Sequence, residues 1–133
     1  MLTSHFIKDI FMNKLVDLQP RIVEKMINDN IVMIDVRRPD EWVRTGVIKN
    51  AHLITFFDEF GDYDIEKWMA EFEKLVTTKE QTFVLICAHA NRTRNIGNFL
   101  IEQGYKNCAH LFGGMALWQQ EQRETVPYKL FKN

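Results

Sequence analysis

Short apolar blocks alternate with longer amphipathic ones along most of the chain. Residues 31–36 (IVMIDV) and 82–86 (TFVLI) form near-continuous apolar runs, which are typical of strands buried on both faces of a sheet. In residues 65–76 the apolar side chains recur every three or four positions, and this spacing predicts a helix with one buried face. Strand-like and helix-like segments that take turns in this way favour an α/β fold with a central, mostly parallel sheet.

Proline and glycine mark where several of the remaining elements begin or end. Pro20 and Pro39 suit the first turn of a helix, because proline fixes φ and its missing N–H is not needed there. Gly104 is predicted to end a helix over residues 92–103, and Gly113-Gly114 to turn the chain into a last helix. The other strands are predicted at residues 15–18, 51–54 and 109–112, and the inward side of the 92–103 helix at Ile96, Phe99, Leu100 and Gln103.

Composition and charge narrow the class of protein. The chain has 133 residues, of which 46% are hydrophobic, and a net charge of −1, so it is most simply one domain with an ordinary core. The near-neutral balance gives no case for binding nucleic acid or an anionic membrane. No apolar run approaches the roughly 18 residues of a membrane span, and Lys8 and Asp9 interrupt the apolar core that a signal peptide would need. We therefore expect a cytoplasmic protein.

The candidate chemistry lies directly after the strand over residues 82–86, where Cys87 is followed five positions later by Arg92. A short polar turn and a helix start come next, and such a turn aims backbone N–H groups and the positive end of a helix dipole at the sulfur. Residues 82–100 contain no acid but include Arg92 and Arg94. These conditions favour a thiolate, which is the nucleophilic form of cysteine. The hypothesis requires a thiol that is open to solvent, with the loop amides turned toward it.

Four short sequence elements follow one another over roughly residues 14–123: DVRRPDEW (35–42), GVIKNA (46–51), CAHANRT (87–93) and LFGGMALW (111–118). They resemble, in this order, the DVR…EEW element, the GHI-x-x-A element, the active-site loop and the LxGGxxxW element of the single-domain rhodanese family of sulfurtransferases. Because all four stand in the family's order, together they are far more specific than any one of them alone.

The resemblance implies a three-layer α/β/α fold around a five-stranded sheet and a thiosulfate-sulfurtransferase-like activity. In that chemistry the Cys87 thiolate takes a sulfane sulfur from a small-molecule donor such as thiosulfate and becomes a persulfide. The sulfur then passes to a thiol, cyanide or protein acceptor, and no dissociable cofactor is implied. Arg92 would either brace the loop carbonyls or face an anion. The terminal sulfur would be held by backbone amides of the loop residues Ala88, His89, Ala90, Asn91 and Thr93.

Two alanines depart from the family's pattern. Ala88 stands where many members carry Arg or Lys, so a cation that would help to bind a doubly charged donor is missing. Ala90 replaces a common glycine, and if this position requires a positive φ the alanine is strained by roughly 1 kcal/mol or more. Both changes favour an alternative, a catalytically weak binding or regulatory module. A third hypothesis is a phosphatase or arsenate-handling enzyme, but phosphatases that resemble this fold have five residues between the cysteine and the arginine, not four.

Other residues near the predicted site have structural alternatives. Asp35 and Arg37 either support the active-site loop or form an ion pair that only stabilises the fold. His89 is interpreted as an exposed loop residue, with a role as proton donor to the leaving group as the alternative. Cys108 is expected to be a small buried side chain. If both strands are parallel it lies about 15 Å from Cys87 at 3.3 Å per residue, which is too far for a disulfide.

The remaining predictions concern the edges of the domain and its partners. No metal site is expected, because His5, His52 and His110 have no metal-like spacing. The acidic residues between positions 58 and 73 form either a solvated face or a docking surface for a basic sulfur acceptor. We predict an N-terminal helical extension (1–13), the rhodanese-like domain (14–123) and a tail (124–133) that folds back or frays. The extension has an apolar face that packs on the domain or forms a homodimer contact, so the protein is a monomer or homodimer; that face comprises Leu2, Phe6, Ile7, Ile10 and Phe11.

Overall fold

Five strands form a single sheet in the computed structural model, which describes residues 14–129. They are β1 (Val16–Leu18), β2 (Val32–Asp35), β3 (His52–Leu53), β4 (Phe83–Ile86) and β5 (Cys108–Leu111). Their order across the sheet is β1-β5-β4-β2-β3, and every neighbouring pair is parallel. The predicted α/β class is confirmed, with all of these strands parallel rather than most of them. The carboxyl ends of the strands consequently meet at one edge, where sites of open α/β sheets lie.

Over residues 14–129, five helices alternate with the strands and cover both faces of the sheet. They are α1 (Pro20–Met26), α2 (Pro39–Thr45), α3 (Ile65–Leu75), α4 (Asn91–Glu102) and α5 (Gly114–Gln120). Pro20 and Pro39 each open their helix, as predicted. At the start of α3 the Asp64 carboxylate accepts a hydrogen bond from the Lys67 backbone N–H (3.1 Å), which satisfies an amide that has no partner within the helix. Within residues 14–129, no helix combines the length and the apolar character needed to cross a membrane.

The central strand β4 is buried along its whole length, and this burial explains how Cys87 is placed. Its four residues are each 0% exposed, because helices cover both faces of the sheet. Val84 and Ile86 pack with side chains of α1 and α5, whereas Phe83 and Leu85 pack with side chains of α3 and α4. Successive side chains of a strand point to opposite faces. Cys87 continues the second series and therefore lies among the side chains of α3 and α4.

Both cysteines are free thiols, and the strand register separates them. Cys108 is the partner of Phe83 in the parallel pairing of β4 with β5, so it lies at the opposite end of β4 from Cys87. Burial of Cys108 disfavours its charged form and raises the pKa of this thiol to about 12. Cys108 is therefore a small core side chain, in agreement with the expectation from the sequence.

The chain after α5 folds back onto the body over residues 124–129. Val126 and Val47 exchange two backbone hydrogen bonds, of 2.8 and 2.9 Å. Beyond this bridge, the Tyr128 ring meets Trp42 of α2 edge-on, with 5.3 Å between the ring centroids. Of the two alternatives for the tail, folding back is the one observed here. The predicted N-terminal helical extension with its apolar face, and the last four residues of the tail, lie outside the described residues.

Candidate active site

Cys87 is the first residue of a tight loop that joins β4 to α4. Helix α4 begins at Asn91, so four residues connect the two elements. Ala90, the last of the four, has φ +69° and ψ +6°, which is the left-handed conformation. This position therefore does require a positive φ, which costs a residue with a Cβ roughly 1–2 kcal/mol. The reversal at Ala90 brings the first turn of α4 back against Cys87.

The loop is held from behind by the first turn of α5. The Met115 N–H donates to the Cys87 carbonyl (2.8 Å) and the Ala116 N–H to the Ala88 carbonyl (2.9 Å). This approach is possible because residue 114 is glycine: a Cβ on Gly114 would lie 2.3 Å from the Ala88 carbonyl oxygen. In a trans peptide the C=O and N–H point in opposite directions. The N–H groups of Ala88 and His89 are thus aimed away from α5.

The backbone amides of this loop have no acceptor within the part of the chain that the structure describes. None of the N–H groups of residues 88–93 donates to a carbonyl or side chain of residues 14–129, and the first amide of α4 that does so belongs to Arg94. Consecutive free amides next to a helix N-terminus form a concave, partly positive surface that suits an anion. The twelve residues of α4 add their dipole in the same sense.

The Cys87 side chain itself is buried, contrary to the expectation of a thiol open to solvent. The residue is 1% exposed, and its Sγ lies 3.4 Å from the Thr93 hydroxyl oxygen. The physical reason is the alternation of β4, which directs Cys87 into the apolar layer that also contains Ile96 of α4. In the observed conformation the thiol is therefore shielded from a donor in solution.

Arg92 pairs with Glu41, a residue for which the sequence predicts no role in the site. Its two terminal nitrogens donate to the two carboxylate oxygens of Glu41 in α2, each at 2.7 Å. The guanidinium therefore braces α4 against α2, and among residues 14–129 it donates to no loop carbonyl. Because the two charges neutralise each other, positive potential at the loop comes mainly from the amides and the α4 dipole.

Glu41 is ionised throughout the physiological range as a result of this pairing. Burial by itself would raise the pKa of the Glu41 carboxyl, but the hydrogen bonds from Arg92 and from the Arg38 backbone N–H (3.1 Å) outweigh burial and lower the pKa to about 2. The motif DVRRPDEW contains Glu41, yet nothing in its spacing pointed to Arg92, 51 positions later in the chain.

Asp35 and Arg37 form a fully buried ion pair, the structural alternative given for them above. The Arg37 side chain donates to both carboxylate oxygens of Asp35 (2.9–3.2 Å), and a further bond of 3.1 Å comes from the Arg37 backbone N–H. The other end of the guanidinium reaches the Thr45 hydroxyl (2.8 Å) and the Gly46 carbonyl (3.0 Å). The pair thus ties the end of β2 to the end of α2.

Thr93 and His110 form a buried polar contact directly behind the thiol. Thr93 is 0% exposed, and its hydroxyl oxygen lies 2.8 Å from Nδ1 of His110, which is also 0% exposed. The sequence predicts a role in the site for Thr93 only through its backbone amide, and it predicts no such role for His110. The available signal was the apolar surroundings of His110 in β5, whose four residues are all buried, because a histidine in a buried strand needs partners for both ring nitrogens.

The other predicted loop residues lie where solvent can reach them. His89 and Asn91 are exposed and Ala88 is half-buried, so His89 occupies the exposed position expected of it. Arg94, the next residue of α4 after Thr93, is also exposed. Among residues 14–129 there is no group of three or more His, Cys, Asp or Glu side chains that could hold a metal ion.

The acidic segment forms a separate concavity, away from the cysteine loop. Asp58, Asp62, Asp64 and Glu71 line an open depression of about 450 Å³ whose floor includes Trp68. No residue of the 87–93 loop contributes to its lining. The choice between a solvated face and a docking surface therefore stays open for this segment.

Replacing Ala90 by glycine is expected to stabilise the protein. Glycine adopts the observed φ of +69° without the strain that alanine carries, while losing more backbone entropy on folding. The net gain in the free energy of unfolding is about 0.5–1 kcal/mol, measured by urea denaturation. The matched control is Ala70→Gly on the exposed side of α3, which should lose about 1 kcal/mol. A loss at both positions would show that Ala90 is unstrained.

Comparison with known proteins agrees with the resemblance found in the sequence. A family model described as the rhodanese-like domain matches residues 19–121. The thiosulfate sulfurtransferase GlpE of Haemophilus influenzae is 24% identical over 106 residues, which are 77% of this chain and 86% of that protein. The Bacillus subtilis protein YtwF is 34% identical over 95 residues, 71% of this chain and 79% of that protein.

A solved structure gives the same result at the level of the fold. The solution structure of the polysulfide-sulfur transferase homodimer from Wolinella succinogenes matches with a TM-score of 0.66 and 26% identity, over 92% of this chain and 86% of that chain. The family model covers most of the chain and includes the cysteine loop, its glycine support and the buried strands that place it. This chain therefore belongs to the rhodanese-like domain family, a family of sulfurtransferases.

Proposed function

We propose that Cys87 accepts a sulfane sulfur from a donor such as thiosulfate and passes it to a thiophilic acceptor. In the first step the Cys87 thiolate attacks the outer sulfur of thiosulfate, the S–S bond of the donor breaks, and sulfite leaves with the bonding electron pair. In the second step a thiolate, cyanide or a protein acceptor attacks the terminal sulfur of the persulfide. The Cys87 thiolate is then regenerated, and no external oxidant or reductant is consumed.

The observation that carries this proposal is the set of amides at residues 88–93 that have no acceptor within residues 14–129. Sulfur transfer requires the Cys87 side chain to turn from the apolar layer toward the loop, since the thiol is 1% exposed in the observed conformation. The negatively charged terminal sulfur of the persulfide would then be stabilised by consecutive amides and the α4 dipole, which offer no competing nucleophile. A loop with four residues between cysteine and arginine, rather than the five of related phosphatases, supports sulfur over phosphate as the group that is carried.

Two features of the chain bear on the donor. Ala88 leaves the loop without a cation of its own, and Arg92 is neutralised by Glu41, so a doubly charged donor gains little electrostatic attraction. The named relatives include a thiosulfate sulfurtransferase and a polysulfide-sulfur transferase. Both kinds of donor supply a sulfane sulfur, and we infer that this chain uses thiosulfate less well than a member with a basic residue at position 88.

Mass spectrometry of the intact protein after incubation with thiosulfate, and separately with polysulfide, tests the proposal. A gain of one sulfur atom is expected in the wild type and in Cys108→Ser, the control for the second thiol. The gain should be absent in Cys87→Ser. A wild-type chain that stays unmodified with both donors would contradict the proposal.

Burial of the thiol favours one second candidate, a binding or regulatory module on the same fold. Cys87 is 1% exposed, and a docking module needs no access to it. In that case Cys87 should resist iodoacetamide in the folded protein and react only after unfolding, and binding of a protein partner should survive Cys87→Ser. Alkylation of Cys87 in the folded protein, together with persulfide formation on Cys87 in a separate sample that has not been alkylated, would exclude this candidate in favour of the enzyme.

A further inference from the structure

A continuous line of polar groups connects the buried thiol to the protein surface. Cys87 Sγ lies 3.4 Å from the Thr93 hydroxyl, and that hydroxyl lies 2.8 Å from His110 Nδ1. On its other side, His110 Nε2 is hydrogen-bonded to the Asp17 carboxylate. The first three residues are buried, whereas the Asp17 side chain is 46% exposed on the edge strand β1. The line therefore runs from the interior to solvent.

The chemistry of the end group fixes the direction of every hydrogen bond in this line. A carboxylate only accepts, so Asp17 requires a proton on His110 Nε2. In a neutral imidazole the other nitrogen, Nδ1, is then an acceptor, and Thr93 must donate its hydroxyl proton to it. The Thr93 oxygen is left with lone pairs only, and these can accept from the S–H of Cys87. In the thiol state all the protons thus point from Cys87 toward Asp17.

We propose that this line, here named the Thr93–His110–Asp17 relay, removes the proton of Cys87 and so prepares the nucleophile. As the S–H bond breaks, an O–H bond forms on Thr93. The original O–H bond of Thr93 breaks at the same time, and an N–H bond forms on His110 Nδ1. The products are a thiolate that accepts a hydrogen bond from Thr93 and an imidazolium paired with Asp17. No electrons are exchanged, and the proposal rests on the sulfur-transfer function put forward above.

The burial of Cys87 is the reason that a relay is needed. A thiol with 1% exposure cannot give its proton directly to bulk water. Within residues 14–129, Thr93 is the one side chain that hydrogen-bonds its sulfur. A hydroxyl cannot hold a second proton at neutral pH, so Thr93 must pass its own proton on to a base. His110 is that base, and the half-exposed carboxylate of Asp17 connects it to solvent.

The groups around His110 suit this role. Burial lowers the pKa of His110 and keeps the resting imidazole neutral and able to accept a proton, while the hydrogen bond to Asp17 acts in the opposite direction and favours the imidazolium. Arg94 on α4 lies 3.8 Å from Asp17 and opposes the imidazolium. From β4 the register places Leu85, an apolar residue, beside His110. Asp17 therefore favours the protonated form of His110, and Arg94 disfavours it.

Alkylation of Cys87 as a function of pH tests the relay, because it reports proton loss without a sulfur donor. The rate of iodoacetamide modification of the Cys87 peptide would be followed by mass spectrometry from pH 5 to 9. Thr93→Val keeps the shape of the side chain but cuts the line. It should lower the rate at pH 7 by about tenfold, the effect of one hydrogen bond to a charged group, and move the midpoint of the profile to higher pH. Thr93→Ser keeps the hydroxyl and should restore both.

Two variants at partly exposed residues test how the charges near His110 affect proton transfer, without changing a core side chain. Asp17→Asn removes the charge that stabilises the imidazolium and should slow alkylation at pH 7. Arg94→Gln removes the opposing charge and should speed it. If Thr93→Val, Asp17→Asn and Arg94→Gln all leave the midpoint at the wild-type pH, these residues are only structural and the relay is wrong. Persulfide formation by the wild type is a separate measurement, so its failure would contradict the proposed function and leave the alkylation result standing.

Discussion

Replacing Gly114 by alanine is expected to lower the free energy of unfolding by about 3–5 kcal/mol, among the larger effects of a single substitution. A Cβ at this position would lie 2.3 Å from the Ala88 carbonyl oxygen and 2.7 Å from that of Cys87. Neither carbonyl can move away without losing its hydrogen bond to the first turn of α5. The φ of +61° at Gly114 adds the cost of a left-handed alanine. Urea denaturation measures the change.

A second glycine that also has a positive φ separates the effect of the steric collision from the effect of the backbone strain. Gly61 has φ +80°, and a Cβ there would meet nothing within 4 Å. Gly61→Ala should therefore cost only the conformational term, about 1–2 kcal/mol. The difference between the two variants measures how closely α5 approaches the cysteine loop. Equal losses at Gly61 and Gly114 would show that this contact is loose and that α5 does not hold the loop in place.

The parts of the site that lie close together in sequence could be predicted from it. Three such parts are the strand before Cys87, the turn after it and the glycines at the start of α5. Each depends on a short stretch of sequence, either an apolar run or a few residues with special backbone conformations. For the same reason, the predicted boundaries of strands and helices agree with the observed ones within about two residues. Gln103 is the exception on α4, because the helix ends at Glu102 and the side chain of Gln103 is exposed, not inward.

The ion pair of Arg92 and the hydrogen bond of His110 join residues that are far apart in sequence, and no local sequence pattern predicts them. Glu41 and Arg92 are 51 positions apart, and Asp17 and His110 are 93 apart. Each pairing depends on which strands become neighbours, here β1 beside β5 and β2 beside β4. The burial of Cys87 has the same origin, because it depends on which face of β4 is covered by α3 and α4. These contacts can be predicted only if the order of the strands in the sheet is known. The alternation of strands and helices along the chain does not determine that order.

Lowering the pH is expected to destabilise the protein through Glu41. The pKa of this carboxyl is about 2 in the folded protein against an ordinary value of 4.5. The folded state therefore binds the proton less readily than the unfolded chain. The stabilisation is fully present above pH 4.5 and is lost as the pH falls through 2. The shift corresponds to about 2–3 kcal/mol, seen as a fall in the free energy of unfolding between pH 5 and pH 2.

Glu41→Gln identifies the group responsible, because it keeps the shape of the side chain and removes the charge. At pH 7 the variant should lose about 2–4 kcal/mol, since Arg92 is left without its carboxylate. The difference between wild type and variant should shrink as the pH approaches 2. Glu71→Gln removes an exposed carboxylate that pairs with Lys74 at 3.3 Å, and it should cost less than about 1 kcal/mol at pH 7. A Glu41→Gln variant whose deficit stays constant from pH 7 to pH 2 would contradict the assignment, because the acid dependence would then belong to other carboxylates.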